Sequence, residues 1–211
     1  MMLVEGALFG TGALGGVTLL AAADNFWQYL GQMGDVLALG LAALGSAIGI
    51  GMAGQAAAGA WARESRAGKT LSFTYIILLG MPISQTLYAM IVMNRMHSVF
   101  EHPELAVTNA GLMLGIGLAT GLGEMFSAWM QGLVGAAGIR ALSEGEGKGF
   151  AFVIIAMGVV ETVGIFAMVF MLGMIPALPE AAAAHATKAE HHGWPTEPDH
   201  VLNFDLRRVE R

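Results

Sequence analysis

Apolar residues run along this chain in long, nearly uninterrupted stretches, at 36–61, 71–93, 106–139 and 150–175, with a weaker one at 3–23. A helix needs roughly 20 mostly apolar residues to cross a bilayer, and each of the first four is long enough. Backbone groups in hydrocarbon must find partners within their own segment, so the stretches are predicted to be helices and not strands. Polar residues are confined to short breaks. Arg63-Glu64-Ser65-Arg66-Ala67-Gly68-Lys69 separates the first pair, and Arg140 to Gly149, with Glu144, Glu146 and Lys148, separates the second. Between the pairs lie Asn94, Arg95, His97, Glu101, His102, Pro103 and Glu104, and after Pro176 the chain turns polar. The predicted fold is an all-α membrane protein of two tandem transmembrane helical hairpins, four helices in all. A hydrophobic leader at 1–23 precedes a first hairpin at 24–93, an interhairpin loop at 94–105, a second hairpin at 106–176 and a polar tail at 177–211.

The leader reads in two ways. Its end, Ala21-Ala22-Ala23-Asp24, is like a small-residue signal-peptidase site, whereas its start carries Glu5 and no Lys or Arg, unlike the positive start of a signal peptide. It is either a signal peptide or an extra N-terminal helix.

Composition sharpens the membrane reading. Of 211 residues, 55% are hydrophobic and 12% charged. Soluble domains carry about 25% charged residues, so this chain lacks the polar surface to coat a water-soluble globule. Thirty glycines, largely inside the apolar stretches, would weaken helices in water but allow helix backbones to approach closely in a membrane. There is no cysteine, which excludes disulfides and thiolate metal sites. The net charge of −6 argues against nucleic acid as a partner. Lys and Arg favour the two hairpin turns, which places 62–70 and 140–149 in the cytoplasm of a multi-pass protein. The tail histidines His185, His191, His192 and His200 lack ordered spacing and read as solvated.

Shifted by 76 residues, the chain partly matches itself: Gln55 falls on Gln131, Gly59-Ala60 on Gly135-Ala136, Met81 on Met157, Thr86 on Thr162, and Gln85 on Glu161. Each half carries a glutamine on its first helix and, 30 residues later, an amide or acid on its second. This is the pattern of a duplicated hairpin that keeps its carboxylate only in the second copy.

Glu161 lies about 11 residues into the last span, hence roughly 16 Å deep, near mid-bilayer. An ionised carboxylate there must be neutralised by a proton, a cation or a partner. Gln131 precedes its turn by about 8 residues, a depth of roughly 12 Å, so it can face Glu161 across the hairpin. The third cluster is Met81-Pro82-Ile83-Ser84-Gln85-Thr86-Leu87-Tyr88. Pro82 removes a donor and frees a carbonyl near the preceding turn, Ser84 and Gln85 add oxygens, and Tyr88 falls on the same broad face, within reach of Glu161. Each residue alone also reads as helix glue or as repair of a proline kink. Together they make an all-oxygen set with one negative charge, which suits a hard monovalent cation such as sodium. Glu124, seven residues before Gln131 on roughly the same face, reads as lining an ion path or a ring interior, or as a protonated or interface-satisfied residue. Gly45-Ser46-Ala47-Ile48-Gly49-Ile50-Gly51 lies inside a span with no preceding strand and is not a nucleotide loop.

With these residues in view, 36–176 resembles the proteolipid, subunit K or c, of V-type rotary ATPases. The 81–88 segment is similar to the second helix of sodium-translocating members. Met130-Gln131-Gly132 through Ala136-Ala137-Gly138-Ile139 resembles the third helix, and Glu161-Thr162 the fourth-helix carboxylate. The resemblance implies that Glu161 carries the ion, that Gln131, Gln85 and Ser84 give side-chain oxygens, that Met81 gives its backbone carbonyl, and that Tyr88 bonds the glutamate and locks it. Ile83 departs from the family, where glycine is usual. The resemblance further implies a homo-oligomeric ring in the cell membrane, a stator membrane subunit of the a/I type, and central-stalk subunits docked on the hairpin turns. Membrane lipid completes the surroundings. No catalytic site or cofactor is expected in the chain itself, only transported Na+, or H+ in a proton-carrying variant. A small secondary transporter built from parallel repeats is a rival of a different class, and a structural membrane-assembly protein is another.

Overall fold

The computed structural model describes residues 5–179, with side chains from Phe26 onward. The histidines singled out in the tail lie outside the described residues. Six α-helices follow one another: α1 (Glu5–Arg66), α2 (Thr74–Gly80), α3 (Ser84–Phe100), α4 (Pro103–Thr108), α5 (Ala110–Glu144) and α6 (Phe150–Met174). Among the described residues there is no strand, and four helical segments are long and apolar enough to cross a membrane: Phe26–Arg66, Thr74–Phe100, Ala110–Glu144 and Phe150–Met174. The protein is an all-α membrane protein.

Three features go beyond the sequence reading. Helix α1 passes through the leader boundary without a turn, from Glu5 to Arg66. The connector read at 94–105 is largely helical, because α3 continues to Phe100 and Pro103 opens α4, where a missing N–H costs nothing. The second span is interrupted at Met81–Ile83 by a single 3-10 turn that begins beside Pro82. Proline cannot donate to the carbonyl four residues earlier, so the helix tightens locally and resumes at Ser84.

Glycine sets the spacing of the first helices of the two hairpins. Helices α1 and α5 share the most extensive interface in the protein. A Cβ at Gly34 would run into the backbone of Met113, one at Gly45 into that of Met125, and one at Gly132 into that of Gly49. The helices therefore touch backbone to backbone, as small residues permit in membranes where no hydrophobic force drives association. Nearer the turns, Ala53, Ala57 and Ala60 of α1 join Tyr75, Leu78, Ile139, Leu142 and Met157 in a buried cluster.

Helix α6 is the opposite case. Only Met157 and Gly164 are buried, while Phe152, Ile155, Val159, Val163, Phe166 and Phe170 are exposed on the surface of the chain. Such an apolar stripe needs lipid or another protein against it. At the turn end, Glu64 accepts hydrogen bonds from the Ser72 N–H at 3.0 Å and the Tyr75 hydroxyl at 2.5 Å, and Trp61 Nε1 donates to the Ser72 carbonyl at 2.7 Å. Lys69 reaches Glu146 of the other turn at 3.0 Å.

Candidate functional site

Tyr88, Gln131 and Glu161 meet where α3, α5 and α6 pack, while Met81, Ser84 and Gln85 form a second group bonded to one another and to Ser127. Tyr88, one turn beyond Ser84 on α3, donates its hydroxyl to Glu161 Oε1 at 2.8 Å. Gln131 of α5 points Nε2 at Glu161 Oε2, 3.5 Å away, and at the Met157 carbonyl, 3.3 Å away. The carboxylate is thus held from both sides by neutral donors. Gln131 is fully buried and its Oε1 has no hydrogen-bond partner among the described residues. Glu161 itself is half-buried, so its head group sits between the protein interior and the exposed apolar stripe of α6.

The break at Met81–Ile83 arranges the other side. The Ser84 N–H and hydroxyl both point back to the Met81 carbonyl, the hydroxyl at 3.0 Å. Ser84 Oγ also lies 3.2 Å from Gln85 Oε1. Gln85 is fully buried and gives Nε2 to Ser127 Oγ at 3.3 Å. The carbonyl deprived of its donor by Pro82 belongs to Leu78, four residues earlier, and it faces Gly135, where a Cβ would stand 3.3 Å from its oxygen. Ile83 is 55% exposed, so its bulk is carried at the surface.

Ser127 is the member that sequence reasoning missed. It accepts from Gln85 and donates to the Val160 carbonyl at 3.1 Å, tying the outer helices of both hairpins to α5. Its signal was available: it lies four residues before Gln131 and three after Glu124, on the same helix face. Glu124 is fully buried inside the chain, against Gly164 of α6. Gln55, the repeat partner of Gln131, is exposed and takes no part in this network.

Glu161 is thus a half-buried carboxylate held by a phenol and an amide inside an apolar helical protein built of two hairpins. The sequence profile of the ATP synthase C subunit matches the chain twice, at residues 33–94 and 114–174, once per hairpin. The chain belongs to this ATP synthase family. It is similar to a protein of Methanocaldococcus jannaschii named A-type ATP synthase subunit K, with 30% identity over 163 residues, spanning 76% of this chain and 68% of the relative. The proteolipid resemblance drawn from the 81–88, 130–139 and 161–162 motifs agrees with both matches.

Proposed function

We propose that this chain is the repeating unit of a rotor ring and that each copy carries one sodium ion on Glu161 across the membrane. Partner subunits synthesise or hydrolyse ATP, and the chain itself catalyses no reaction. Its ligands are Glu161, the Oε1 atoms of Gln131 and Gln85, the Ser84 hydroxyl and the Met81 carbonyl, with Tyr88 holding the loaded carboxylate closed. The ring lies in the cell membrane. A stator membrane subunit offers access on either side, and stalk subunits dock on the cytoplasmic turns 62–70 and 140–149. One carboxylate per four helices gives fewer ions per turn than a ring of single hairpins with the same helix number, which favours pumping against a steep gradient.

The observation that carries this reading is the pairing at Glu161: Tyr88 at 2.8 Å on one oxygen, Gln131 on the other, and a buried, unpartnered Gln131 Oε1 next to them. An amide oxygen so placed suits a hard cation; if Glu161 carries a proton, the same oxygen accepts a hydrogen bond from the protonated carboxyl. A second reading, H+ in place of Na+, draws support from Ser84, Gln85 and the Met81 carbonyl, which satisfy one another by hydrogen bonds.

Carbodiimide labelling of Glu161 in the purified ring at fixed pH, with and without sodium, tests both, because the reagent attacks the protonated carboxyl. Slowing by millimolar sodium but not potassium supports the sodium site. Labelling indifferent to sodium turns the reading to protons. A Glu161 that never labels removes it as an accessible carrier and raises the transporter and structural readings.

A further inference from the structure

We propose that Glu124 anchors a second sodium site, enclosed within each chain and separate from Glu161. Glu124 is 0% exposed, and neither of its carboxylate oxygens has a hydrogen-bond partner among the described residues. No Lys, Arg or His among them makes an ion pair with it. Thr120, one turn earlier on α5, is also 0% exposed, with an unpartnered hydroxyl oxygen. Ser127, one turn later, donates its proton to the Val160 carbonyl and accepts from Gln85 Nε2, which leaves it one lone pair. Residues at i, i+4 and i+7 share a helix face, so the oxygens of all three side chains gather on one side of α5.

Helix α6 comes close at this level. A Cβ on Gly164 would stand 2.5 Å from Glu124 Oε2 and 3.2 Å from Ser127 Oγ. The repeat places Gly164 where the first hairpin has Tyr88, so in the second hairpin the acid and the Ser127 hydroxyl pack against bare helix backbone where the first has a ring.

A bare carboxylate cannot remain ionised here, since burying an isolated charge is prohibitive and the group takes a proton or a cation instead. A proton neutralises the carboxyl but brings no partner to the Thr120 oxygen. A cation can take the two carboxylate oxygens and the Thr120 hydroxyl as ligands at once. Oxygen donors with a single negative charge select a hard monovalent ion. Glu161 is half-exposed and reachable from the lipid-facing surface, whereas Glu124 is enclosed. The ion at Glu124 is therefore resident, exchanging much more slowly than the transported one. This site stands whether Glu161 carries sodium or protons.

Retention of radioactive sodium by the detergent-purified ring, followed after transfer to sodium-free buffer, tests the proposal. The native ring is expected to hold about two ions per chain, one lost quickly and one slowly. Glu124→Gln should remove the slow ion and keep the fast one, and Glu161→Gln should do the reverse. A native ring with no slow ion, or a slow ion retained by Glu124→Gln, overturns the site. A slow ion with no fast one leaves Glu124 standing and counts against sodium at Glu161. If Glu124→Gln does not assemble, Thr120→Val and Gly164→Ala keep both acids and should speed the slow release by about tenfold, the effect of losing one ligand; unchanged release in both overturns the site.

Discussion

The outer helices of the two hairpins make an instructive pair. In the first hairpin, the position corresponding to the carrier acid is Gln85, which is fully buried and bonded to Ser84 and Ser127. In the second it is Glu161, half-exposed and held by Tyr88 and Gln131. The first hairpin contributes a proline-tightened turn, neutral oxygens and a phenol lock. The second contributes the charge, on a smooth apolar helix with few buried residues. In the proposed function, one copy of the duplicated hairpin is the holder of the ion and the other supplies the carrier acid. A charge on each outer helix would double the desolvation cost at this depth, and amide substitution at one of them removes it while keeping an oxygen in place.

The sharpest way to break this division is Glu161→Gln, which makes both outer helices neutral. ATP-driven ion uptake by reconstituted complexes should fall to background, a loss of at least about 100-fold, because no charge remains on the outer helices to carry a cation through hydrocarbon. Uptake above a few per cent would show that the charge resides elsewhere. Next comes Gln131→Leu, which deprives Glu161 Oε2 of its donor and removes the unpartnered Oε1. The sodium concentration giving half-maximal ATPase activity should rise roughly 10- to 100-fold, since hydrogen bonds to charged groups are worth about 1.5–3 kcal/mol. Tyr88→Phe keeps the ring and deletes the lock. Its effect should be about tenfold on the same measure, accompanied by faster carbodiimide labelling of Glu161 in sodium, as expected for one lost hydrogen bond to a carboxylate. The smallest effect should come from Gln55→Ala, within about 0.5 kcal/mol in stability and twofold in transport, since Gln55 is an exposed residue outside the network. A large effect there would mean that the first hairpin keeps a working copy of the amide after all.

Much of this contrast could be read before any coordinates. Glu161, Gln131 and the 81–88 cluster announced themselves because a polar group inside an apolar run has few innocent explanations, and because the repeat aligned Gln85 with Glu161. Ser127 escaped because serine is a routine small residue in membrane helices and its importance depends on which neighbour it faces. The repeat also suggested matching roles for Gln55 and Gln131, yet one is exposed and the other fully buried. A linear offset cannot show that α5 packs against both outer helices and also, through glycines, against α1. Nor could polarity alone place Glu124, since the same acid reads as lining, glue or ligand until Gly164 is seen against it. The length of α1 was hidden by the opposite problem, an alanine-rich junction at 21–24 that suits a cleavage site and a helix equally well.

The glycine seam between α1 and α5 has a mechanical meaning. Flexible side chains between two helices act as a soft layer that yields under shear, whereas backbones in direct contact have almost nothing to deform. With Gly34, Gly45 and Gly132 removing that layer, the unit is stiff against twisting. In the proposed rotor, a ring of such units would transmit torque with little lag, so elastic compliance would reside in other components and not in the ring.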